Sequence, residues 1–513
     1  MLDEATRGRP TWAHAAWMPW LVGLVTAVVY LWIWNGIHAQ PRIIDESAYL
    51  LQAQIFAGGH WTAPARPLPV FFEQLYVFVS PFLAAKYPPG HSLLLSLGEL
   101  VGSPGLIVIL LNGLSGALVF YLSTRCFGLL TGHLTWIIWL LAPINLEFRP
   151  SYLSNVTTAA LWLVAWCATN RWWESGHRSW LLLDAISIAW CAITRPLTGL
   201  ILAIPIGTIV LSRVAQRRTW NDLGAPLAVG TLVLAILPLA NRMTTGHWLE
   251  MPWITYSKVY TPYDHPGFGF DPTPPLAPTN PDFERLATLQ RPISEGHVVS
   301  ALPSIARDRI LAILRGTLGR GSSSLIPFTL FGLLFLTRRA WFALLSSLLL
   351  VLAYLSYPHS AHWTPYYLEV MPAIALVAAV GLTQLGTGAF HSRWRLLLAG
   401  GTWTFFTLWL IGAAWLLPRA RMTSRALRGR YEAFHSRLER IPQAKAIVFV
   451  RRGRTPTLAQ SLVVNTPDLD RARVWIVHDR GPENTQLLAI APDRAPYIYD
   501  EQQGGLIPLD TSP

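Results

Sequence analysis

The sequence predicts an α-helical polytopic membrane protein with a small C-terminal α/β domain outside the membrane, and three observations carry that prediction. Of 513 residues, 52% are hydrophobic and 13% are charged, where soluble domains average nearer about 25% charged. Apolar runs close to the roughly 20 residues that a spanning helix needs recur along the first 417 residues. From Pro418 the pattern changes to a basic stretch and then to short strand-like runs.

Mean hydropathy is +0.36, and the formal net charge is +12. That charge does not point to nucleic acid, because many of the arginines sit in short gaps between apolar runs, where they orient helices toward the cytoplasm and its anionic lipids. Cys126, Cys167 and Cys191 fall in or beside apolar runs with no metal-thiolate spacing, so they read as inert core residues.

Counting apolar runs gives about eleven spans, with cores near 17–37, 106–123, 129–145, 156–169, 180–194, 197–211, 223–240, 325–336, 341–357, 368–385 and 396–417. The first follows Arg7 and Arg9 and is too long for a signal-peptide core, so it reads as an uncleaved span. With the N-terminus in the cytoplasm, Arg125, Arg171, Arg178, Arg213, Arg217, Arg218, Arg338, Arg339, Arg393 and Arg395 all face the cytoplasm. Only Arg149 and Arg195 then stand in short loops opposite. The apolar stretch 180–211 is divided at Arg195-Pro196, since one helix of that length overshoots the bilayer and proline disfavours continuation.

Residues 1–417 thus form a membrane module with outer loops at 38–105 and 243–323, and residues 418–513 form the outer domain. In the first loop, Asp45 is expected to N-cap a short helix ending at Gly58-Gly59, with Tyr49, Gln52, Ala53 and Phe56 on one face. The apolar piece 92–101 is too short to cross. The second loop, from 244 to about 296, is rich in Pro, Gly and aromatics and reads as irregular. Trp248, Trp253, Tyr256, Tyr260, Tyr263, Phe268 and Phe270 there suit either stacking on sugar faces or a belt at the headgroup level. Residues 298–318 read as an interfacial amphipathic helix with Arg307, Arg309 and Arg315 on its polar side. In the tail, 419–440 reads as a helical stalk and 446–450, 472–479, 487–491 and 495–500 read as strands. No short repeat, GxxxxGK[ST] or strand-borne GxGxxG is present in the sequence, which disfavours an ATP-driven pump.

Two stretches carry candidate chemistry. Asp45 and Glu46 are paired carboxylates beside a span, able to deprotonate a hydroxyl or to hold a divalent cation; a solvated helix start explains them equally simply. In Lys86-Tyr87-Pro88-Pro89-Gly90 the prolines stiffen the chain and hold the ammonium at the membrane edge, beside a phosphate or merely among headgroups. Arg149 with Tyr152, Arg195, and the group His359, His362, Tyr366, Tyr367 and Glu369 fall at outer ends of spans, converging on one membrane level. Tyr49, Tyr87 and His91 of the first loop join them as expected walls of a polar cavity. His359 and His362 are spaced for one helix face, compatible with a metal or with two hydrogen-bonded histidines.

The stretches IIDESAYLLQAQIFAGG (43–59) and KYPPGHSLLLSLG (86–98), in that order around the first outer loop, resemble the GT-C glycosyltransferases that use lipid-phosphate sugars, the group of protein O-mannosyltransferases and the lipid A aminoarabinose transferase. The resemblance implies inverting transfer of a sugar from a polyprenyl-phosphate donor to an acceptor on the outer, extracytoplasmic side of the inner membrane: a cell-envelope glycan, lipid or protein. It assigns Asp45 as the acidic residue of the first loop, with Glu46 as helper or fellow metal ligand, and Lys86 as the donor-phosphate contact, with Arg195 or Arg149 in support. It implies no nucleotide at the site and no nucleic-acid partner. The alternative class is a polytopic transporter or flippase for lipid-linked sugars, which favours charges near the bilayer midplane rather than at the outer ends.

Overall fold

The computed structural model describes residues 16–276, 280–319, 324–387, 394–453 and 461–509. Arg7, Arg9 and Arg393 of the charge argument fall outside them.

The chain is mostly helical. Helix α1 (Met18–Trp34) leads into the first loop, which holds α2 (Ile44–Ala57), a three-stranded antiparallel sheet, and α3 (Gly90–Glu99). The sheet runs β1 (Ala63–Pro64), β2 (Val77–Phe78) and β3 (Phe82–Ala85), with β3 central. The sequence does not mark these strands, because each is only two to four residues long. Ile43, not Asp45, caps α2; Asp45 and Glu46 occupy its first turn, where the helix dipole favours carboxylates.

The bundle continues through α4 (Pro104–Phe127), α5 (Leu129–Leu141), α6 (Pro143–Phe148), α7 (Asn155–Ser175), α8 (Arg178–Thr194) and α9 (Pro196–Arg217). Arg195 ends α8 and precedes α9 in extended conformation, φ −142° and ψ 94°, as expected for a residue before proline. Helices α10 (Gly224–Leu234) and α11 (Ile236–Thr245) follow. Among the described residues five helices are long and apolar enough to cross a membrane: Pro104–Phe127, Pro196–Arg217, Trp220–Thr245, Arg338–Ser356 and Arg395–Glu439. Shorter apolar helices add Met18–Trp34, Leu129–Leu141, Ile326–Phe335 and Met371–Gly386. Helices α1 and α4 touch through small residues, a Cβ on Gly23 falling 2.8 Å from the Gly113 carbonyl, the close approach that membrane helices favour.

The second loop is more regular than its composition predicts. It contains α12 (Pro252–Tyr260) and α13 (Pro281–Glu295). Pro252 and Pro281 stand in the first turn of these helices, where proline is tolerated, Pro292 lies inside α13, and the Asn280 side chain accepts from the Asp282 and Phe283 amides to cap α13. Helix α14 (Leu302–Leu318) matches expectation in extent, but Arg309 is buried and not on a polar face. Its guanidinium donates to the carbonyls of Tyr354, Tyr357 and His359 at 2.6, 3.0 and 3.0 Å.

Helices α15 (Ile326–Gly332), α16 (Arg338–Ala353), α17 (Met371–Gly386) and α18 (Arg395–Ala414) complete the bundle, and α19 (Leu416–Glu439) is the basic stalk. Beyond it a four-stranded sheet has the order β5 (Val474–His478), β4 (Ala446–Arg451), β6 (Ala495–Asp500), β7 (Gly505–Pro508), the first three parallel. Alternation along β4 separates two cores. Ala446, Val448 and Val450 pack with Tyr431, Phe434 and Leu438 of the stalk, whereas Ile447 and Phe449 pack with Leu487 and with Phe71 and Phe72 of the first loop. Residues 487–491, expected as a strand, lie mostly in α20 (Asn484–Ile490); a short apolar run alone does not separate the two states.

Candidate active site

Two elements of the first loop bring Asp45 and Lys86 together. Helix α2 carries Asp45 in its first turn and Gln52 two turns on. The Gln52 carbonyl oxygen accepts from the Ala85 amide at 2.9 Å, and its amide nitrogen donates to the Trp61 carbonyl at 3.0 Å. Strand β3 is thereby tied to α2, and Lys86 comes directly after it, its own amide donating to the Tyr76 carbonyl at 2.9 Å. The Pro-Pro-Gly turn then starts α3. A Cβ on Gly90 would strike the Thr194 hydroxyl, and Trp190 Nε1 donates to the Gly90 carbonyl at 3.0 Å. Glycine is required because α3 begins directly against the end of α8, next to Arg195.

Tyr87 lies between the two charges. Its hydroxyl donates to Asp45 Oδ1 at 2.5 Å, and its ring stacks on Tyr49 with centroids 4.3 Å apart. Lys86 Nζ sits in an aromatic box, 4.1 Å from the centre of the Tyr76 ring, 5.2 Å from Tyr256 and 5.7 Å from Tyr87. Its ion-pair partner is Asp264, at 3.4 Å, whose other oxygen accepts from the Tyr357 hydroxyl at 3.1 Å. Burial pushes the Asp45 carboxyl above its ordinary value, against the opposing effects of the Tyr87 hydroxyl and the Lys86 charge. A half-buried carboxylate of raised basicity beside a fixed cation is suited to accept a proton while an anion forms nearby.

The other expected residues separate into those that join this site and those that do not. Arg195 lies 4.9 Å from the ring centre of Tyr366 and 5.2 Å from that of Tyr354. Tyr366 in turn is within Coulombic reach of Arg195, Asp264 and Asp45. His359 stacks on Tyr366 at 4.6 Å and bonds the Tyr367 hydroxyl at 2.9 Å; burial drops its imidazole to about 3. His362 is exposed in a non-helical segment and is not paired with His359, so the one-face expectation for the two histidines does not hold.

Glu46 departs from the expectation that pairs it with Asp45. Adjacent residues on a helix point about 100° apart, and the fully buried Glu46 carboxylate faces Arg42 Nε at 3.3 Å and the Tyr152 amide at 3.3 Å. Arg42 also donates to the Glu147 carbonyl at 2.6 Å. Among the described residues no three His, Cys, Asp or Glu side chains gather as metal ligands. With Glu46 held by Arg42, the donor set does not fit a divalent ion on Asp45 and Glu46. Arg149 is buried under Asn112 and Asn145, with its guanidinium 4.3 Å from the Trp139 ring centre, and burial lowers it to about 10. His91 bridges the Thr157 hydroxyl and the Tyr152 carbonyl, both at 2.8 Å, and Tyr152 donates to the Ala39 carbonyl at 3.0 Å. These residues brace the bundle around the site. The sequence alone does not point to Asp264, Tyr76 or Tyr357: an aspartate in a Pro/Gly-rich stretch reads as a turn residue, and nothing local marks it as the partner of a lysine 178 residues away.

Fold and site together define a helical membrane protein whose first and second loops gather one cation, two carboxylates and a wall of tyrosines. The chain is similar to solved structures at low sequence identity. It is similar to ArnT from Cupriavidus metallidurans bound to undecaprenyl phosphate, with a TM-score of 0.49 and 14% identity over 95% of this chain and 90% of that one. It is also similar to the oligosaccharyltransferase AglB from Archaeoglobus fulgidus, in complex with an inhibitory peptide and a dolichol-phosphate, at TM-score 0.41, 14% identity and coverage of 84% and 59%. The arabinosyltransferase EmbB from Mycobacterium smegmatis matches at TM-score 0.42, 14% identity and coverage of 82% and 41%. No family model and no curated protein sequence matches the chain.

Proposed function

We propose that the protein is a membrane glycosyltransferase that moves a sugar, with inversion, from a polyprenyl-phosphate donor to an acceptor on the outer face of a bacterial inner membrane. The observation that carries this reading is that Tyr87 both hydrogen-bonds Asp45 and lies beside Lys86, its ring centre 5.7 Å from Nζ. The acceptor hydroxyl attacks the anomeric carbon on the face opposite the phosphate. The carbon–oxygen bond to phosphate breaks with its electron pair going to the phosphate, and the acceptor proton passes to Asp45. Negative charge grows on the phosphate as the bond breaks, so Lys86, supported by Arg195, stabilises the transition state more than the ground state.

On this reading the arginine-bearing loops are cytoplasmic, about eleven segments span or enter the membrane, and residues 1–417 are the catalytic module. Residues 418–513 form an outer α/β domain. Tyr49, Tyr87 and Tyr366 line the substrate side, Glu46 positions α2 through Arg42, and Arg149 braces the loop before α7. No step is routed through a metal.

The test is transfer from a radiolabelled undecaprenyl-phosphate sugar by the full chain in nanodiscs, with acceptors drawn from cell-envelope extract. Asp45→Asn is expected to abolish a product formed by the wild type while leaving the chain folded. Wild-type turnover in that variant removes Asp45 as the base. Movement of the lipid across sealed vesicles without any new glycosidic bond returns the flippase reading.

A further inference from the structure

The second loop presents Lys86 with an anion of its own. Asp264 Oδ2 lies 3.4 Å from Lys86 Nζ, and each side chain is 11% exposed. The loop that delivers this carboxylate is anchored on three sides. The Ser257 hydroxyl donates to the Asp264 carbonyl at 2.5 Å, the Ser294 hydroxyl to the Tyr263 carbonyl at 2.8 Å, and the Gly267 amide to the Ser356 carbonyl at 2.8 Å. The faces of Tyr76, Tyr256 and Tyr87 also stand around Nζ. Among the described residues Asp264 is the one carboxylate within ion-pair distance of it.

A desolvated ammonium without a counter-ion is costly, so the resting pair offsets that cost and holds Lys86 in place. The same pair cannot persist when a phosphate arrives. Two anions on one ammonium inside an aromatic box repel each other strongly, because the low local dielectric screens them poorly. Asp264 has an alternative partner already in place, the Tyr357 hydroxyl on its other oxygen.

Resting on the glycosyltransferase reading above, we propose that Asp264 is an exchangeable counter-ion: the donor's phosphate displaces Oδ2 from Lys86, and Asp264 returns to expel the product phosphate. The return matters because the product carries more charge than the donor. A phosphodiester is a monoanion, whereas the phosphate monoester left after transfer carries about −1.5 to −2 near neutral pH and would otherwise stay on Lys86. Asp264 is thus a positioning and release residue that forms no bond to sugar or acceptor.

The test measures the affinity of undecaprenyl phosphate, the product-like lipid, for the full chain in nanodiscs. Asp264→Asn is expected to bind it roughly tenfold more tightly than wild type, a difference of about 1.4 kcal/mol. In a Lys86→Met background the same substitution is expected to change nothing. In turnover, Asp264→Asn should lower kcat through slow release while KM for donor falls. Should Asp264→Asn not fold, Asp264→Ser makes the same comparison. If Asp264→Asn binds no tighter while Lys86→Met weakens binding, the exchange is wrong and the phosphate site stands. If Lys86→Met binds as wild type does, the phosphate site and the exchange fall together.

Discussion

Tyr87 donates its hydroxyl to Asp45 Oδ1 at 2.5 Å while Lys86 Nζ lies 5.7 Å from the centre of its ring, so one side chain adjusts both candidate charges. Removing that hydroxyl removes an interaction that holds the Asp45 carboxyl down against the effect of burial. A base works when deprotonated, and activity falls as pH drops through its pKa. Tyr87→Phe should therefore move the acidic limb of kcat/KM to higher pH, with a loss of roughly threefold to tenfold at pH 7. The stack on Tyr49 survives the substitution, so thermal stability should change little. A pH-rate profile of both forms checks this, and an unmoved limb excludes the bond as a regulator of the base.

The Arg42–Glu46 pair predicts the reverse pattern, large in stability and small in chemistry. Glu46 is fully buried and is satisfied by Arg42 and the Tyr152 amide. Arg42→Met strands a buried carboxylate and should cost about 3–5 kcal/mol, read as a fall in the midpoint of thermal unfolding in detergent. Glu46→Gln keeps the shape and should cost less. Activity per folded molecule should stay within about threefold for Glu46→Gln. A loss of a hundredfold or more at unchanged stability would return Glu46 to the chemistry.

These two neighbours show what was legible in the sequence. The spacing of apolar runs, the break at Arg195-Pro196 and the first-loop order of Asp45 and Lys86 could all be read locally. Which way each carboxylate turns could not, because Arg42 is a local neighbour of Glu46 but Tyr87 and Tyr152 arrive from other parts of the chain. Asp264 was hidden for the same reason, its significance resting on a contact across 178 residues. The prolines of the second loop misled because a proline starts a helix or breaks one depending on its neighbours in the chain, and the decisive cap at Asn280 is one residue among many turn formers.

The histidines yield a prediction of silence. His359 is buried and held near 3, and His362 is exposed without joining the site. His359 should therefore add no titration near the ordinary imidazole value of about 6.5. His362→Ala should leave turnover within about twofold and the pH profile unchanged. A loss of turnover of roughly tenfold or more in His362→Ala would put this side chain at the site after all.

The tail is joined to the first and second loops by buried charge, and that makes its role measurable. Arg452 pairs with Asp282 of α13 and, at 3.2 Å, with Glu501, whose carboxylate also meets Arg430 of the stalk at 2.9 Å. The Ser461 hydroxyl donates to Asp282 at 3.3 Å. Two residues before Asp282, the Asn280 amide donates to Glu73 at 2.9 Å, and the Glu73 carbonyl meets His478 of the tail at 2.7 Å. Arg452→Met should cost about 3–5 kcal/mol by leaving two carboxylates without their shared cation, with little salt dependence because buried pairs are weakly screened. The loosening should not stay in the tail. Amide exchange should rise in residues 66–74 of the first loop and at the start of α13, ahead of the spanning helices, because those segments lose their common brace. Faster exchange confined to the tail would mean that it is carried by the membrane module without steadying it.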